Sequence, residues 1–301
     1  EYFQQNPQVY SKLHNYVVSV LEQVSGRLHV IENSVVVDVS TDKEFTFLYK
    51  YMERTKRRPK NLFIIDIGSA EGVLGSNSFN LFQLGWSGLL VDPFRAHIEK
   101  ARRATAIAAF AFRGATPKAH GANTASLLDE FEGCQHIEFE RVALGPRDEN
   151  VNMSTSEVTA DRILKGSEQA VTMNTVKTMM SRHPKIPKDF GILSIDAGSH
   201  SWDILKQFLI QEKYQPAFVV VEWLGLSIPK VMDVMEEKMP GRYTLLATVG
   251  FNMIFGSLDP RVMEYGSSVL DTTPCHGNPF SAFQSGAPPP VHHDGPPPPI
   301  P

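Results

Sequence analysis

The stretch Leu62–Gly72, "LFIIDIGSAEG", decides the reading of this chain. A short apolar run delivers Asp66 and then two glycines, Gly68 and Gly72, directly ahead of a helical pattern. Glycines at such a strand-to-helix turn let the backbone approach a ligand closely, and the helix N-terminus beyond supplies unpaired N–H groups. A nucleotide-like ligand is expected there. The glycines enclose only Ser69, Ala70 and Glu71, which is not the G-x-G-x-x-G spacing of dinucleotide enzymes and disfavours a nicotinamide-dependent oxidoreductase. Asp66 would repel a pyrophosphate, whereas the amino group and sulfonium of S-adenosylmethionine suit a carboxylate. Gly68, Ser69, Glu71 and Gly72 complete the expected cofactor loop, with Glu71 either reaching the cofactor's amino end or pointing to solvent.

Outward from this loop, short apolar runs alternate with helical segments, the signature of a parallel sheet covered on both faces. The runs are Leu62–Ile67, Gly88–Val91, Ile137–Val142, Ile192–Ile195 and Phe218–Glu222, followed by Tyr243–Val249 and Asn252–Phe255, whose intervening Gly250 predicts an antiparallel hairpin at the sheet's edge. Helices are expected at Leu74–Leu84, Ala96–Arg103, Thr175–Arg182, Ser201–Glu212 and Ile228–Met239. Ala104–Gly133 reads as an insertion with a helix at Thr124–Phe131, and polar Asp148–Ala170 as a loop near the site. Upstream, Pro7–Gly26 predicts an amphipathic helix, Ser34–Val39 a strand, and Phe45, Leu48, Tyr49 and Met52 one face of a second helix. The basic run Arg54–Lys60 reads as the solvated end of that helix. After about residue 279 the chain becomes "SGAPPPVHHDGPPPPIP", a disordered or polyproline II tail in which His292 and His293 are polar filler. Such a tail could dock an SH3- or WW-type domain.

Composition narrows the function classes. The 301 residues are 42% hydrophobic and 21% charged, a globular balance. Lys plus Arg number 29 against 33 for Asp plus Glu, so no basic surplus marks a nucleic-acid partner. Cys134 and Cys275 lie far apart and give neither a disulfide framework nor metal-ligand spacing, so no metal is expected. No apolar run approaches the roughly 18 to 20 residues that span a bilayer. The chain reads as soluble as given, its compartment is unassigned, and with Glu1 at its start a removed leader or anchor stays open.

Further chemistry sits at the other strand tips. Asp92 ends "GLLVDP" twenty residues after Gly72, where a carboxylate can accept hydrogen bonds from ribose hydroxyls. Asp196 ends the fourth strand and His200 follows it, either as a base for a hydroxyl proton or as a helix cap. Glu222 and Trp223 end "VVVEW", as acceptor-facing groups or as an ordinary strand end and core tryptophan. The backbone of Ala143 or Gly145, at the turn after the third strand, is placed to meet an adenine ring.

In sequential blocks from Asn61 to Phe255 the chain resembles the FkbM-type S-adenosylmethionine-dependent methyltransferases. The blocks are "IDIGSAEGVLGSNSFNLFQLGWSGLLVDPF", which includes Ser76, Asn77, Gly85 and Trp86, then "ERVALGPRDENVNM", "TMNTVKTMM", "DFGILSIDAGSHSWDIL" and "FVVVEW". The resemblance implies a Rossmann-like class I methyltransferase fold, α/β with a mainly parallel twisted sheet, over residues 61–278. Residues 1–60 then form an N-terminal helical extension packing on the core, and 279–301 the tail. It also implies methylation of a hydroxyl on a sugar or other small-molecule acceptor, with Asp196, His200 and Glu222 catalytic and Asp66, Gly68, Ser69, Glu71, Gly72, Asp92 and Ala143 around the cofactor. The family's Asp-Val-Glu-Gly-His-Glu is here Asp196, Ala197, Gly198, Ser199, His200, Ser201, so both glutamates are missing. That departure supports an alternative, a methyltransferase-fold module that binds or scaffolds without catalysis.

Overall fold

The computed structural model describes residues 27–31, 34–113, 136–159, 162–223 and 228–266. The helices expected at Pro7–Gly26 and Thr124–Phe131 and the tail at 279–301 lie outside the described residues. In chain order the elements are β1 (Leu28–Ile31), β2 (Ser34–Val37), α1 (Glu44–Thr55), β3 (Arg57–Pro59), β4 (Phe63–Ile67), α2 (Phe79–Gln83), β5 (Ser87–Val91) and α3 (Arg95–Arg113). Then come β6 (Ile137–Glu140), β7 (Ala143–Leu144), β8 (Glu149–Thr159), β9 (Arg162–Asn174), α4 (Val176–Met180), β10 (Ile192–Ile195) and α5 (Ser201–Lys206), which a π turn at Gln207–Gln211 extends. β11 (Phe218–Glu222), α6 (Ile228–Lys238), β12 (Tyr243–Val249), β13 (Asn252–Ser257) and β14 (Met263–Tyr265) follow.

The apolar runs assemble into one seven-stranded sheet in the order β12-β13-β11-β10-β4-β5-β6. β6, β5, β4, β10 and β11 pair in parallel, and β13 runs antiparallel between β11 and β12. This is a mixed α/β fold built on one mainly parallel sheet. Each central strand is apolar on both faces because helices cover both. Ile64, Leu90, Ile192, Phe218, Val220 and Ile254 pack with Phe45, Leu48 and Met52 of α1 and Leu81 and Phe82 of α2. On the opposite face Ile65, Leu193, Val219 and Phe255 meet α4, α5 and α6 through Met179, Phe208 and Met235. From β4 the chain builds outward to β5 and β6, then returns to lay β10 on β4's other side. That reversal opens a crevice beyond the carboxyl ends of β4 and β10, where open α/β sheets bind ligands.

Several expectations are corrected. Asp148–Ala170 is not a loop: β8 and β9 form a long antiparallel hairpin, which β7 extends in parallel. Val151 and Met153 alternate toward a small cluster of Phe94, Ala143, Val171 and Met173, and the polar residues between them mask this period. The helix expected from Leu74 begins only at Phe79, because Gly75 takes a φ of +75° and the Ser76 hydroxyl accepts the N–H groups of Ser78 and Phe79. The expected insertion starts as the continuation of α3 through Arg113. The basic run contributes a strand rather than only a helix end: β3 pairs with β14, and Arg58 Nε bonds Glu264 at 2.9 Å. Upstream of it, β1 and β2 add a hairpin ahead of the expected second helix, α1. Among the described residues no helix is long and apolar enough to cross a membrane.

Edge strand β6 is fastened by charge. Glu138 and Glu140, two residues apart and so on one face, both bond His183 just beyond α4: Nδ1 meets Glu138, and Nε2 meets Glu140 at 2.9 Å. Burial alone would lower the imidazole's pKa, but the two carboxylates overcome it and raise His183 to about 9. His136 and His183 in turn pull Glu138 down to about 2. The folded histidine value lies above its ordinary 6.5, so this stabilisation is complete below pH 6.5 and is lost as pH rises through 9. On the acid side it is lost between pH 4.5 and 2, as Glu138 takes a proton. His183→Gln is expected to cost about 1–3 kcal/mol near pH 6 and little near pH 10. Urea unfolding at the two pH values checks this.

Candidate functional site

The loop after β4 is shaped by backbone geometry. Gly68, Ala70, Gly72 and Gly75 all have positive φ, between 47° and 78°. A Cβ on Gly68 would lie 1.8 Å from the backbone oxygen of Asp196, and one on Gly72 would lie 2.9 Å from the Ala101 Cβ of α3. Within the protein, the close approaches at these glycines are to β10's end and to a helix. Asp196 N–H in turn donates to Ile67 O at 2.9 Å, so the loops after β4 and β10 are clasped together.

Asp92 secures the strained residue. Its Oδ2 accepts the Ala70 N–H at 3.1 Å, and its Oδ1 accepts the Phe94 N–H at 2.9 Å and bonds His97 Nδ1 at 3.0 Å. The bond to Asp92 holds His97 above its ordinary pKa. A carboxylate offers about four lone-pair positions, so Asp92 keeps roughly one for a ligand hydroxyl.

Asp66 lies deeper than expected. Residues of a strand alternate faces, so Asp66 projects with Ile64, and Ser194, its register partner on β10, projects with Ile192. Asp66 is only 3% exposed, and its Oδ2 accepts from Ser78 Oγ at 2.7 Å. Ser194 lies beside it on β10. Burial raises its pKa to about 6, the Ser78 bond opposes the rise, and the charges of Asp196 and Asp92 add to it. The carboxylate braces the loop from behind.

The sheet register brings two expected catalytic residues together. Ile195 pairs with Val221, so the next positions, Asp196 and Glu222, are neighbours at the carboxyl edge. Glu222 Oε2 accepts the Gly198 N–H at 3.1 Å. Burial first, then the neighbouring Asp196 charge, raises Glu222 to about 7. Asp196 is exposed and Glu222 half-buried, so Glu222 can exchange a proton near neutrality.

His200 closes the short 3-10 turn Gly198–His200 and makes no side-chain cap bond to α5. Ser201 Oγ accepts the Ala197 N–H at 2.9 Å and ties the turn to the start of α5. Trp223 lies beside exposed Phe251, their ring centroids 6.4 Å apart. Ser69 is buried, and its hydroxyl has no partner. Glu71 stands outward in an ion pair with Lys100 at 3.1 Å. Ala143 is buried beneath the β8–β9 hairpin and pairs with Met173 of β9. Sequence reasoning missed Ser78 as the partner of Asp66 and Ser194 as its neighbour on β10. The available signal was a serine inside the otherwise apolar run "ILSI". Among the described residues no cluster of three or more His, Cys, Asp or Glu could hold a metal.

No family model matches the chain, and no curated protein matches it. Among solved structures, a methyltransferase from Geobacter sulfurreducens is similar over 84% of this chain and 96% of its own, at 11% identity and a TM-score of 0.39. Monomeric WbdD is similar over 71% of this chain at 16% identity and a TM-score of 0.35, and the chain spans 40% of that protein. The first is a distant, low-identity match to a methyltransferase-like fold; neither points to a particular family.

Gly68→Ala is expected to cost at least about 3 kcal/mol, because a Cβ collides with backbone that cannot move aside. Gly198→Ala meets nothing within 4 Å and should cost only the positive-φ penalty, about 1–2 kcal/mol. Thermal unfolding of the two variants compares them.

Proposed function

We propose that the chain is an S-adenosylmethionine-dependent methyltransferase of the FkbM type, acting on a hydroxyl of a sugar or other small-molecule acceptor. The observation that carries this reading is that Asp196 and Glu222 stand side by side at the carboxyl edge of the sheet, clasped to the glycine loop through Gly68. The residues present suit the cofactor. Asp92 retains acceptor capacity for a ribose hydroxyl, Ser69 has a buried hydroxyl without a partner, and the carboxylates favour a cation. When bound, the cofactor supplies a methyl group on a sulfonium. Once it has lost its own proton, Glu222 would take the proton of the acceptor hydroxyl as that oxygen is methylated, and would afterwards release it to water. Asp196, beside it at the carboxyl edge, steers Glu222. Trp223 and Phe251 offer an aromatic wall to the acceptor. His200, free of a capping duty, stands as the second candidate base.

A second reading rests on a specific observation: Asp66 and most of Asp92 are engaged in bracing the loop, and Gly198 and Ser201 stand where the family carries glutamates. On that reading the chain is a methyltransferase-fold module that binds without transferring. Isothermal titration with S-adenosylmethionine, followed by a radiolabelled-methyl screen over glycans, proteins and small molecules, separates the two. Binding with transfer supports the enzyme and binding without transfer the module; no binding at about millimolar ligand removes the cofactor and with it the enzyme. In the enzyme, Glu222→Gln should lower turnover by about 10²- to 10⁴-fold with cofactor affinity retained. Wild-type turnover should rise with pH through about 7, as Glu222 loses its proton, and the variant should lose that rise.

A further inference from the structure

Asp66 is buried, and next to it lies an acceptor whose bonding is incomplete. Ser194 is the register partner of Asp66 on β10, and Asn77 Nδ2 donates to Ser194 Oγ at 3.1 Å. The carboxamide therefore presents its NH₂ to Ser194. Asn77 Oδ1 is thereby turned away from the serine, and it is buried with no hydrogen-bond partner. Ser69 Oγ, on the same loop, is also buried and unpartnered. Leaving a carbonyl oxygen dry and unbonded is costly, and a donor arriving with a ligand relieves that cost.

The position of Asn77 says which donor. Asp92, the ribose candidate, ends β5 on one side of β4; Asn77 is tied to β10 on the other side, one residue short of Ile195 and two short of Asp196. A nucleoside held by Asp92 thus extends its far end toward Asn77, and the nearby carboxylates Asp66 and Asp196 favour a positive charge there. Resting on the cofactor reading above, we propose that Asn77 Oδ1 accepts a hydrogen bond from the α-ammonium group at the amino-acid end of S-adenosylmethionine, with Ser194 as the positioning residue that holds the amide in that orientation.

Two ligands test this: S-adenosylhomocysteine, which carries the amino-acid end, and 5′-methylthioadenosine, which lacks it. Calorimetric titration of the full chain should show Asn77→Ala weakening S-adenosylhomocysteine by about 10-fold or more while 5′-methylthioadenosine stays within about 2-fold. Ser194→Ala, which releases the amide without removing it, should give the same selective pattern at about 3-fold, and it serves if Asn77→Ala does not fold. Equal losses for both ligands, or no loss for S-adenosylhomocysteine, overturn the assignment. A wild-type chain that binds neither ligand overturns the cofactor reading itself, and this assignment with it.

Discussion

The contact between Gly68 and the backbone carbonyl of Asp196 leaves no room for any side chain, and the chemistry of the crevice depends on it. It joins the loop after β4 to the loop after β10 at the point where the strand order reverses. Because Asp196 is held there, its carboxyl group stands beside that of Glu222 one register step beyond the last paired residues of β10 and β11. A wider separation would remove the part of the Glu222 rise that comes from the Asp196 charge and leave the larger part, which comes from burial. Backbone packing thus adjusts the protonation of Glu222 on top of its burial.

Holding that contact requires a loop with four positive-φ residues, one of them the alanine Ala70. Asp92 and Asp66 offset the strain in different ways. Asp92 grips Ala70 N–H directly, and Asp66 braces Ser78 from beneath the loop. With Asp196 and Glu222 they concentrate carboxyl groups at one edge of the sheet; burial raises the pKa values of Asp66 and Glu222, and repulsion among the carboxylates adds to the rise. A cationic ligand relieves that repulsion and an anionic one would increase it. The same groups therefore preserve the loop's shape and select the sign of what it binds.

The central sheet was legible in the sequence because strands covered on both faces must be apolar throughout, as in Phe63–Ile67 and Phe218–Val221. The β8–β9 hairpin was hidden because Val151 and Met153 alternate with polar residues over only a short apolar cluster. In the site, Asp196 and Glu222 could be named from their places at strand tips, since parallel neighbouring strands bring such tips together. The surroundings of Asp66 could not be read, because they include a serine 128 residues away on a strand whose position beside β4 follows from topology. Gly68 and Gly72 were recognised as sites of close approach, but the sequence alone does not say whether a glycine is approached by a ligand or by the protein's own backbone.

The account turns on one carboxyl group, Glu222, and a carbon-13 NMR titration of its side chain with and without saturating S-adenosylmethionine tests it most directly. The account predicts a Glu222 midpoint near 7 in the free chain, moving downward when a sulfonium and an ammonium group bind nearby. A midpoint in the ordinary glutamate range, unmoved by the ligand, would contradict both the raised Glu222 carboxyl and the placement of the cofactor beside it.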